Sequence, residues 1–245
     1  PSATSQSPAI ATETAGWTYY PKGAIIPAYG FATNFNCISD DNWVLQVTVS
    51  GTNLSELQYA TNMLDGRFLD LSTGVGGTDG TTSYTITGIG SSAFVGMTNL
   101  EEIVFPGTLT ASGYRAFRSD TALRSIQYVP QSNIRVFDRE VFNGCPLTND
   151  ISTVVPPFCT TFGSGYGYCF SGTKFCGGLV LTNLTLFNAS TAGWRLNSLE
   201  LWSTNVTDCP SFAGMTTLSN VVLRLPKLSS MGQQFVGVPM TNDVS

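Results

Sequence analysis

Apolar and polar positions alternate along this chain in a unit that occurs many times. Each unit opens with Phe-x-Gly or Phe-x-Ser, continues into a short apolar strand that often ends in proline, and closes with two apolar residues three positions apart. The opening residues are Phe94, Phe117, Phe142, Phe170, Phe212 and Phe235, at spacings of 23, 25, 28, 42 and 23 residues. A period of this size is typical of a solenoid, and the gap of 42 predicts one degenerate unit.

A single unit cannot bury its own apolar side, so we expect neighbouring units to stack and to share one core. The predicted core consists of the six phenylalanines together with Leu100, Leu123 and Leu218, each of which opens a strand. Proline ends several of these strands because it cannot donate a hydrogen bond to a neighbouring strand.

Three parts follow one another along the chain. Residues 1–16 are rich in Ser, Thr, Ala and Pro and predict a tether. Residues 17–80 predict an N-terminal cap with a first strand and a short helix. Residues 81–245 predict six or seven repeats, of which one is degenerate near residues 180–205.

Within the cap, the pattern changes twice. Residues 17–42 hold several aromatic residues and two prolines, which predicts an irregular aromatic segment. Apolar residues alternate over 43–49, which predicts a half-buried strand. Ser55 and Gln58 have the spacing of a capping box, so residues 55–66 predict a short helix.

The last eleven residues repeat an earlier segment. Residues 235–245 align without gaps to residues 142–152, and seven of the eleven positions are identical. This alignment predicts that a new strand begins where the sequence stops, without the polar cap that a solenoid normally needs.

Residues 89–100 (IGSSAFVGMTNL) resemble the repeat of the BspA-like leucine-rich repeat surface proteins. Cys145 follows Phe142-x-Gly144 as the family's cysteine does, and residues 67–72 resemble the family's first strand. The resemblance covers about residues 44–245. It implies an α/β repeat solenoid, mostly β, that forms a right-handed superhelix with short strands, turns and little helix. It also implies a secreted or cell-surface protein that binds other molecules and shares no catalytic motif.

Composition narrows the possible partners. The net charge of −5 and the pI near 4.6 argue against general nucleic-acid binding, which needs a basic footprint. No apolar run is long enough to span a bilayer. Because the sequence begins with Pro and not with Met, we expect a mature secreted protein or a trimmed chain.

Five of the eight arginines fall in two successive repeats: Arg115, Arg118, Arg124, Arg135 and Arg139. They predict a basic patch for an acidic partner. The alternative is a solvated face on which Asp120, Asp138 and Glu140 balance the arginines.

Cysteines and asparagines suggest two covalent modifications. Cys145, Cys159 and Cys209 occupy repeat core positions and predict buried thiols, whereas Cys169 and Cys176 could close a short disulfide loop. Four Asn-x-Ser/Thr sequons, at Asn53, Asn183, Asn188 and Asn205, are candidate glycosylation sites in a eukaryotic secreted protein.

The residue types that carry catalysis are scarce. The chain has no histidine, which removes the usual general base, the usual partner of a nucleophile and the commonest metal ligand. No nucleophile elbow and no phosphate loop occur, so we expect neither a catalytic residue nor a cofactor or metal.

Three functions are compared on this basis. The leading hypothesis is a non-enzymatic extracellular protein whose repeat face mediates adhesion to another protein or a surface. The second is a structural subunit that stacks head to tail into a filament or sheath, which the unfinished C-terminal repeat suggests. The third, an enzyme acting on glycans or peptides, lacks an acid–base pair.

Overall fold

A computed structural model describes backbone and side chains for residues 67–72, 86–129, 131–163, 168–229 and 233–239, and the backbone alone for four strands between residues 19 and 62. The elements, in chain order, are β1 (Tyr19–Pro21), β2 (Thr33–Ile38), β3 (Trp43–Val49), β4 (Ser55–Asn62), β5 (Phe68–Asp70), β6 (Ile86–Ile89), β7 (Glu102–Pro106), β8 (Ala111–Ser112), β9 (Ser125–Val129), β10 (Val136–Phe137), α1 (Ile151–Val154), β11 (Thr161–Phe162), β12 (Cys176–Leu181), β13 (Leu186–Phe187), β14 (Arg195–Trp202) and β15 (Asn220–Arg224).

Each repeat contributes strands to two separate faces of a β-solenoid. The longer strands pair in parallel as β5-β7-β9 and, further along, as β12-β14-β15. The shorter strands pair in the order β6-β8-β10-β11-β13, and this sheet continues through β4, β3 and β2 to β1. The predicted fold class, a mostly β repeat solenoid with little helix, is therefore confirmed.

Alternating apolar residues explain why the longer strands form a wall of the core. In β9, Ile126 and Tyr128 are buried while Gln127 and Val129 are exposed. Successive side chains of a strand point to opposite faces, so each strand gives one row to the interior and one to solvent. Leu100, Leu123 and Leu218, which precede such strands, are fully buried.

The phenylalanines of the repeats stack on one another. Ring centroids lie 4.8 Å apart between Phe94 and Phe117, 5.1 Å between Phe117 and Phe142, and 5.8 Å between Phe142 and Phe170, with interplanar angles of 11–17°. These four rings are buried. Aromatic pairs at such offsets stabilise the core beyond the area they bury, by about 0.5–1.5 kcal/mol each.

One unit lacks its phenylalanine, in the 42-residue gap between Phe170 and Phe212. Thr191 takes the position of the missing phenylalanine, two residues before the positive-φ Gly193, as Phe170 stands before Gly172. Trp194, three residues after Thr191, fills the space that a phenylalanine ring would occupy beside Phe170. Its Nε1 donates to Thr173 Oγ1 at 2.7 Å. The stack resumes at Phe212, whose ring lies 5.4 Å from the partly buried Phe235.

A helical turn separates the two sheets of longer strands, β5-β7-β9 and β12-β14-β15, which we call the ribbon of longer strands. Where a strand would follow β9, the chain forms α1, which Asp150 caps by accepting from Ser152 N–H at 2.9 Å. The strand predicted at this point of the repeat is therefore wrong for residues 151–152, and the counterpart at 240–245 lies outside the described residues.

Two further expectations for the cap are wrong. Residues 55–62 form strand β4 and not a helix, because they pair with β3 on one side and β6 on the other. Residues 17–42 contain the strands β1 and β2, which pair in parallel, so this segment is not irregular throughout. The proposed tether, residues 1–16, lies outside the described residues.

Candidate functional site

The turn around each phenylalanine holds its flanking residues in a fixed orientation. The residue two before the phenylalanine has a positive φ in four repeats: 61° at Ser92, 58° at Arg115, 57° at Glu140 and 84° at Tyr168. Such a φ is uncommon for residues other than glycine, and the surrounding hydrogen bonds must maintain it. Arg115 N–H donates to Arg139 O at 3.1 Å, which brings the turns of neighbouring repeats together.

Three arginines converge on one carboxylate at these turns. Because Arg115 and Glu140 hold the same position in successive repeats, they lie side by side, with Arg115 Nε 3.1 Å from Glu140 Oε2. Arg118 Nη1 lies 3.3 Å from the same oxygen, and Arg139 Nε lies 3.9 Å from Glu140 Oε1. The three arginine side chains are 37–39% exposed, whereas that of Glu140 is only 15% exposed.

The ring of Tyr114 stacks against the guanidinium groups of two of these arginines. The guanidinium carbons of Arg115 and Arg139 lie 4.5 and 4.6 Å from the centre of its ring. A cation over an aromatic face is attracted by the ring quadrupole, and the stacking restricts the rotamers of both arginines. We call Tyr114, Arg115, Arg118, Arg139 and Glu140 the arginine cluster.

The arginine cluster keeps a positive charge. Three guanidinium groups face the single carboxylate of Glu140, and a neighbouring carboxylate, Asp138, accepts from Arg139 N–H. Arg139 Nε is buried without a hydrogen-bond partner, but the three arginine side chains are 37–39% exposed. Because a guanidinium group presents several fixed donors, those that Glu140 does not use can bind a second carboxylate.

Comparison with known proteins bears on the fold that displays this cluster. The family model described as BspA type Leucine rich repeat region matches residues 78–189 in six copies. Residues 78–189 carry BspA-type leucine-rich repeats. Proteins with such repeats are in general surface and protein-interaction proteins, and they are typically not enzymes. A search of curated proteins found no match.

Three solved structures resemble this leucine-rich repeat chain. A leucine-rich repeat protein from Bacteroides ovatus has a TM-score of 0.52 and 20% identity, over 73% of this chain and 45% of that one. The T. pallidum leucine-rich repeat protein has a TM-score of 0.44 and 17% identity, over 80% and 81%. The pneumococcal vaccine antigen PcpA has a TM-score of 0.33 and 14% identity, over 82% and 81%. The first supports the fold alone, and the matched part spans 45% of that protein's length.

The other two predicted arginines, Arg124 and Arg135, are not part of the arginine cluster. Arg124 is exposed just before β9, and the guanidinium of Arg135 lies 5.1 Å from the centre of the Phe158 ring. The structure thus brings together three of the five arginines. Tyr114 and the central position of Glu140 did not emerge from the sequence, although aligning the repeats on the residue two before each phenylalanine would have placed Glu140 beside Arg115.

Asp120 does not balance the arginines, contrary to the alternative considered from the sequence. It is fully buried, in the column of residues three positions after each phenylalanine. Its Oδ1 accepts from Met97 N–H at 2.8 Å, and its Oδ2 has no hydrogen-bond partner. Burial raises the pKa of Asp120 to about 9, so the side chain is neutral at pH 7 and adds no charge to the surface.

The five cysteines whose side chains the structure describes are free thiols, and the predicted loop between Cys169 and Cys176 is wrong. Cys169 is buried with its Sγ toward Asn188 O, whereas Cys176 is exposed with its Sγ toward Asn149 O. Burial raises the pKa of Cys159 to about 12 and also that of Cys209 to about 12, so neither offers a thiolate nucleophile near neutrality.

Two of the sequons occur at the same position of the repeat. Asn183-x-Thr185 and Asn205-x-Thr207 occupy equivalent positions, with the exposed polar residues on either side of the buried Leu184 and Val206. Asn205 Oδ1 accepts from Lys227 Nζ at 3.3 Å. Asn188 is half-buried and Asn53 lies outside the described residues, so glycosylation remains a prediction.

Neither a metal cluster nor a membrane helix marks the part of the chain that the structure describes. No group of three or more metal-ligating side chains comes together there. Likewise, no helix among those residues has the length and apolarity needed to cross a membrane.

Proposed function

We propose that this leucine-rich repeat chain is a non-enzymatic, extracellular or cell-surface adhesion protein that binds an acidic patch of a partner protein through the arginine cluster. The observation that carries the proposal is the convergence of three partly exposed guanidinium groups, stacked on Tyr114, in a chain whose net charge is −5. The partly exposed cluster can donate paired hydrogen bonds to carboxylates of a partner.

The geometry favours specific binding over a merely solvated face. Two of the arginines are already ordered by Tyr114, so binding costs them less side-chain entropy than it would cost free arginines. Glu140, at 15% exposure, is turned inward and holds the guanidinium groups rather than shielding them from solvent. Arginine and tyrosine are also enriched at protein interfaces.

A defined acidic peptide tests this proposal. Surface plasmon resonance would compare an immobilised Glu-Gly repeat peptide with a Gln-Gly peptide of equal length. We expect binding to the acidic peptide alone, and Arg118→Gln with Arg139→Gln should weaken it about tenfold or more. Raising the salt concentration should weaken it further, because exposed charges are screened.

Arg67→Gln is the matched control. Arg67 also pairs with a glutamate, Glu101 at 3.3 Å, but its side chain is 75% exposed and it lies outside the cluster. We expect its removal to change peptide affinity less than twofold. Equal losses from Arg67→Gln and from the cluster variants would contradict a specific site.

Head-to-tail assembly into a filament is the second candidate. Among the described residues, strand β15 is the last strand of its sheet, and beyond it Val236 is 59% exposed. An exposed strand edge can pair with another chain, and a heterologous contact of this kind propagates. Sedimentation velocity over a hundredfold range of concentration tests it: growing species support assembly, and a constant monomer contradicts it.

A further inference from the structure

The stack of repeats opens beside the degenerate unit. In regular repeats, the N–H two residues after the phenylalanine donates to a carbonyl of the next repeat: Gly96 to Arg118 O at 2.9 Å, Gly144 to Ser171 O at 2.8 Å and Gly214 to Val236 O at 2.8 Å. The equivalent N–H groups of Gly172 and Gly193, on either side of the degenerate turn, make no such backbone bond among the residues described. Among the described residues, no backbone hydrogen bond joins the turns at 189–195 and 211–217, and one side-chain bond, from Thr191 Oγ1 to Ser211 O, links them.

A cleft of about 840 Å³ lies between these two turns. Its volume falls in the range of pockets that hold small ligands. Hydroxyl groups line it, and two of them already donate within the protein, Thr191 Oγ1 to Ser211 O and Thr217 Oγ1 to Leu196 O. The hydroxyl-bearing residues are Ser190, Thr191, Ser211, Thr216 and Thr217.

Two cations line this cleft. Lys174 and Arg195 hold the same position in successive repeats, two residues after Gly172 and Gly193. In the pairing of β12 with β14, Arg195 lies opposite Cys176, two residues after Lys174, and the side chains of Lys174 and Arg195 both line the cleft. The two oxygens of one carboxylate can each accept a hydrogen bond from one of these cations. Neither makes an ion pair with a described residue, and no acidic residue lines the cleft.

We infer that this cleft binds a sugar acid, a small ligand that carries one carboxylate and several hydroxyl groups. Lys174 and Arg195 would hold the carboxylate by charge-assisted hydrogen bonds. The hydroxyl groups of Ser211 and Thr217, together with Gly193 N–H, would bind the sugar hydroxyls. Trp194 is buried behind the cleft and supports its wall. This site is separate from the arginine cluster, so either can fail without the other.

Isothermal titration calorimetry with D-glucuronate tests the inference, using D-glucose and sulfate as the two comparison ligands. We expect glucuronate to bind at least about tenfold more tightly than either, because glucose lacks the anion and sulfate lacks the hydroxyls. No heat with glucuronate at millimolar concentration would overturn the inference, and so would equal affinity for sulfate or for glucose.

Variants locate the site. Lys174→Gln and Arg195→Gln should each weaken glucuronate binding about tenfold, since each removes one charge-assisted hydrogen bond. Arg224→Gln is the control, because Arg224 lies over the Trp202 ring, outside the cleft, and should leave the affinity unchanged. Unchanged binding in both cleft variants, or equal loss in the control, would overturn the inference. The altered side chains are exposed, and thermal melts verify that each variant folds.

Discussion

Asp120 shows how a single residue can make the stability of the whole stack depend on pH. Its carboxyl group is fully buried among apolar side chains and close to Cys145, with one hydrogen bond to Met97 N–H. Burial penalises the charged form, which raises the pKa to about 9 in the folded protein, against about 3.9 in an unfolded chain.

The sign of the pH effect follows from proton binding. Between pH 4 and pH 9 the folded protein holds a proton on Asp120 that the unfolded chain has lost. The free energy of unfolding should therefore fall as pH rises through this window, by up to about 1.4 kcal/mol per pH unit from this residue. Asp120→Asn should flatten the dependence and raise stability at pH 8. Urea melts from pH 4.5 to 8.5 measure the free energy of unfolding of the wild type and of Asp120→Asn. The same pH dependence in both proteins would contradict a raised pKa at Asp120.

Substitutions at two glycines can separate the cost of backbone strain from the cost of a steric clash. Gly163 and Gly214 both have a positive φ, 67° and 73°. A Cβ on Gly163 would lie 2.6 Å from Asn188 O, whereas one on Gly214 would meet nothing within 4 Å.

We expect Gly214→Ala to lower the free energy of unfolding by about 1 kcal/mol, from strain alone. Gly163→Ala should cost at least about twice as much, because a backbone oxygen of the neighbouring repeat must also move. Chemical denaturation of both variants makes the comparison, and equal losses would show that the repeats are not in this register.

At the scale of elements, α1 divides the ribbon of longer strands, and a side chain closes the edge that the division leaves. Asn149 Oδ1 accepts from Ile126 N–H at 3.0 Å, and Asn149 Nδ2 donates to Ile126 O at 3.0 Å. The amide thus replaces the backbone of the missing strand, and it keeps the edge of β9 from pairing with another chain.

Asn149→Ala should lower the free energy of unfolding by about 1–3 kcal/mol, because it leaves a backbone donor and acceptor without partners. Asn183→Ala, at an exposed position on another face, should change it by less than about 0.5 kcal/mol. Guanidinium melts give both values. A loss at Asn149 no larger than at Asn183 would contradict the edge-closing role, as would a gain in stability.

Sequence reasoning succeeded for elements whose signal repeats and failed where it occurs once. The strands after Leu100, Leu123 and Leu218 were predictable because the same apolar spacing recurs. Strand β4 was not, since Ser55 and Gln58 imitate a helix start while pairing with β3 decides the structure. The helix α1 was missed for a similar reason: Asn149 and Asp150, which end the ribbon and cap the helix, stand in a segment that otherwise reads as a repeat strand.

Some features of the arginine cluster could likewise be predicted from the sequence, and others could not. Clustered arginines in adjacent repeats were visible in the sequence, but the pairing of Arg115 with Glu140 depends on the register of two turns. The burial of Asp120 was not visible, because in the sequence an acid beside arginines suggests a surface ion pair. Trp194 could be placed only once Gly193 was known to have a positive φ like the glycines of the neighbouring repeats.

At the scale of the whole molecule, the repeats form one continuous core. The Phe142 ring touches rings of the repeats on both sides, Phe117 at 5.1 Å and Phe170 at 5.8 Å, and Phe137 at 6.0 Å. The same stacking sets the register that brings the arginine cluster together. A local defect in this core should therefore weaken the fold far from the altered residue.

The central claim is that stacked repeats share one aromatic core, and the unfolding free energy of Phe142→Ala tests it most directly. We predict a loss of about 3–5 kcal/mol in a denaturant melt, because the change leaves a cavity between two repeats. The same change at Phe68, which is 41% exposed, should cost less than about 1 kcal/mol. A loss below about 1 kcal/mol at Phe142, or equal losses at both positions, would contradict the claim.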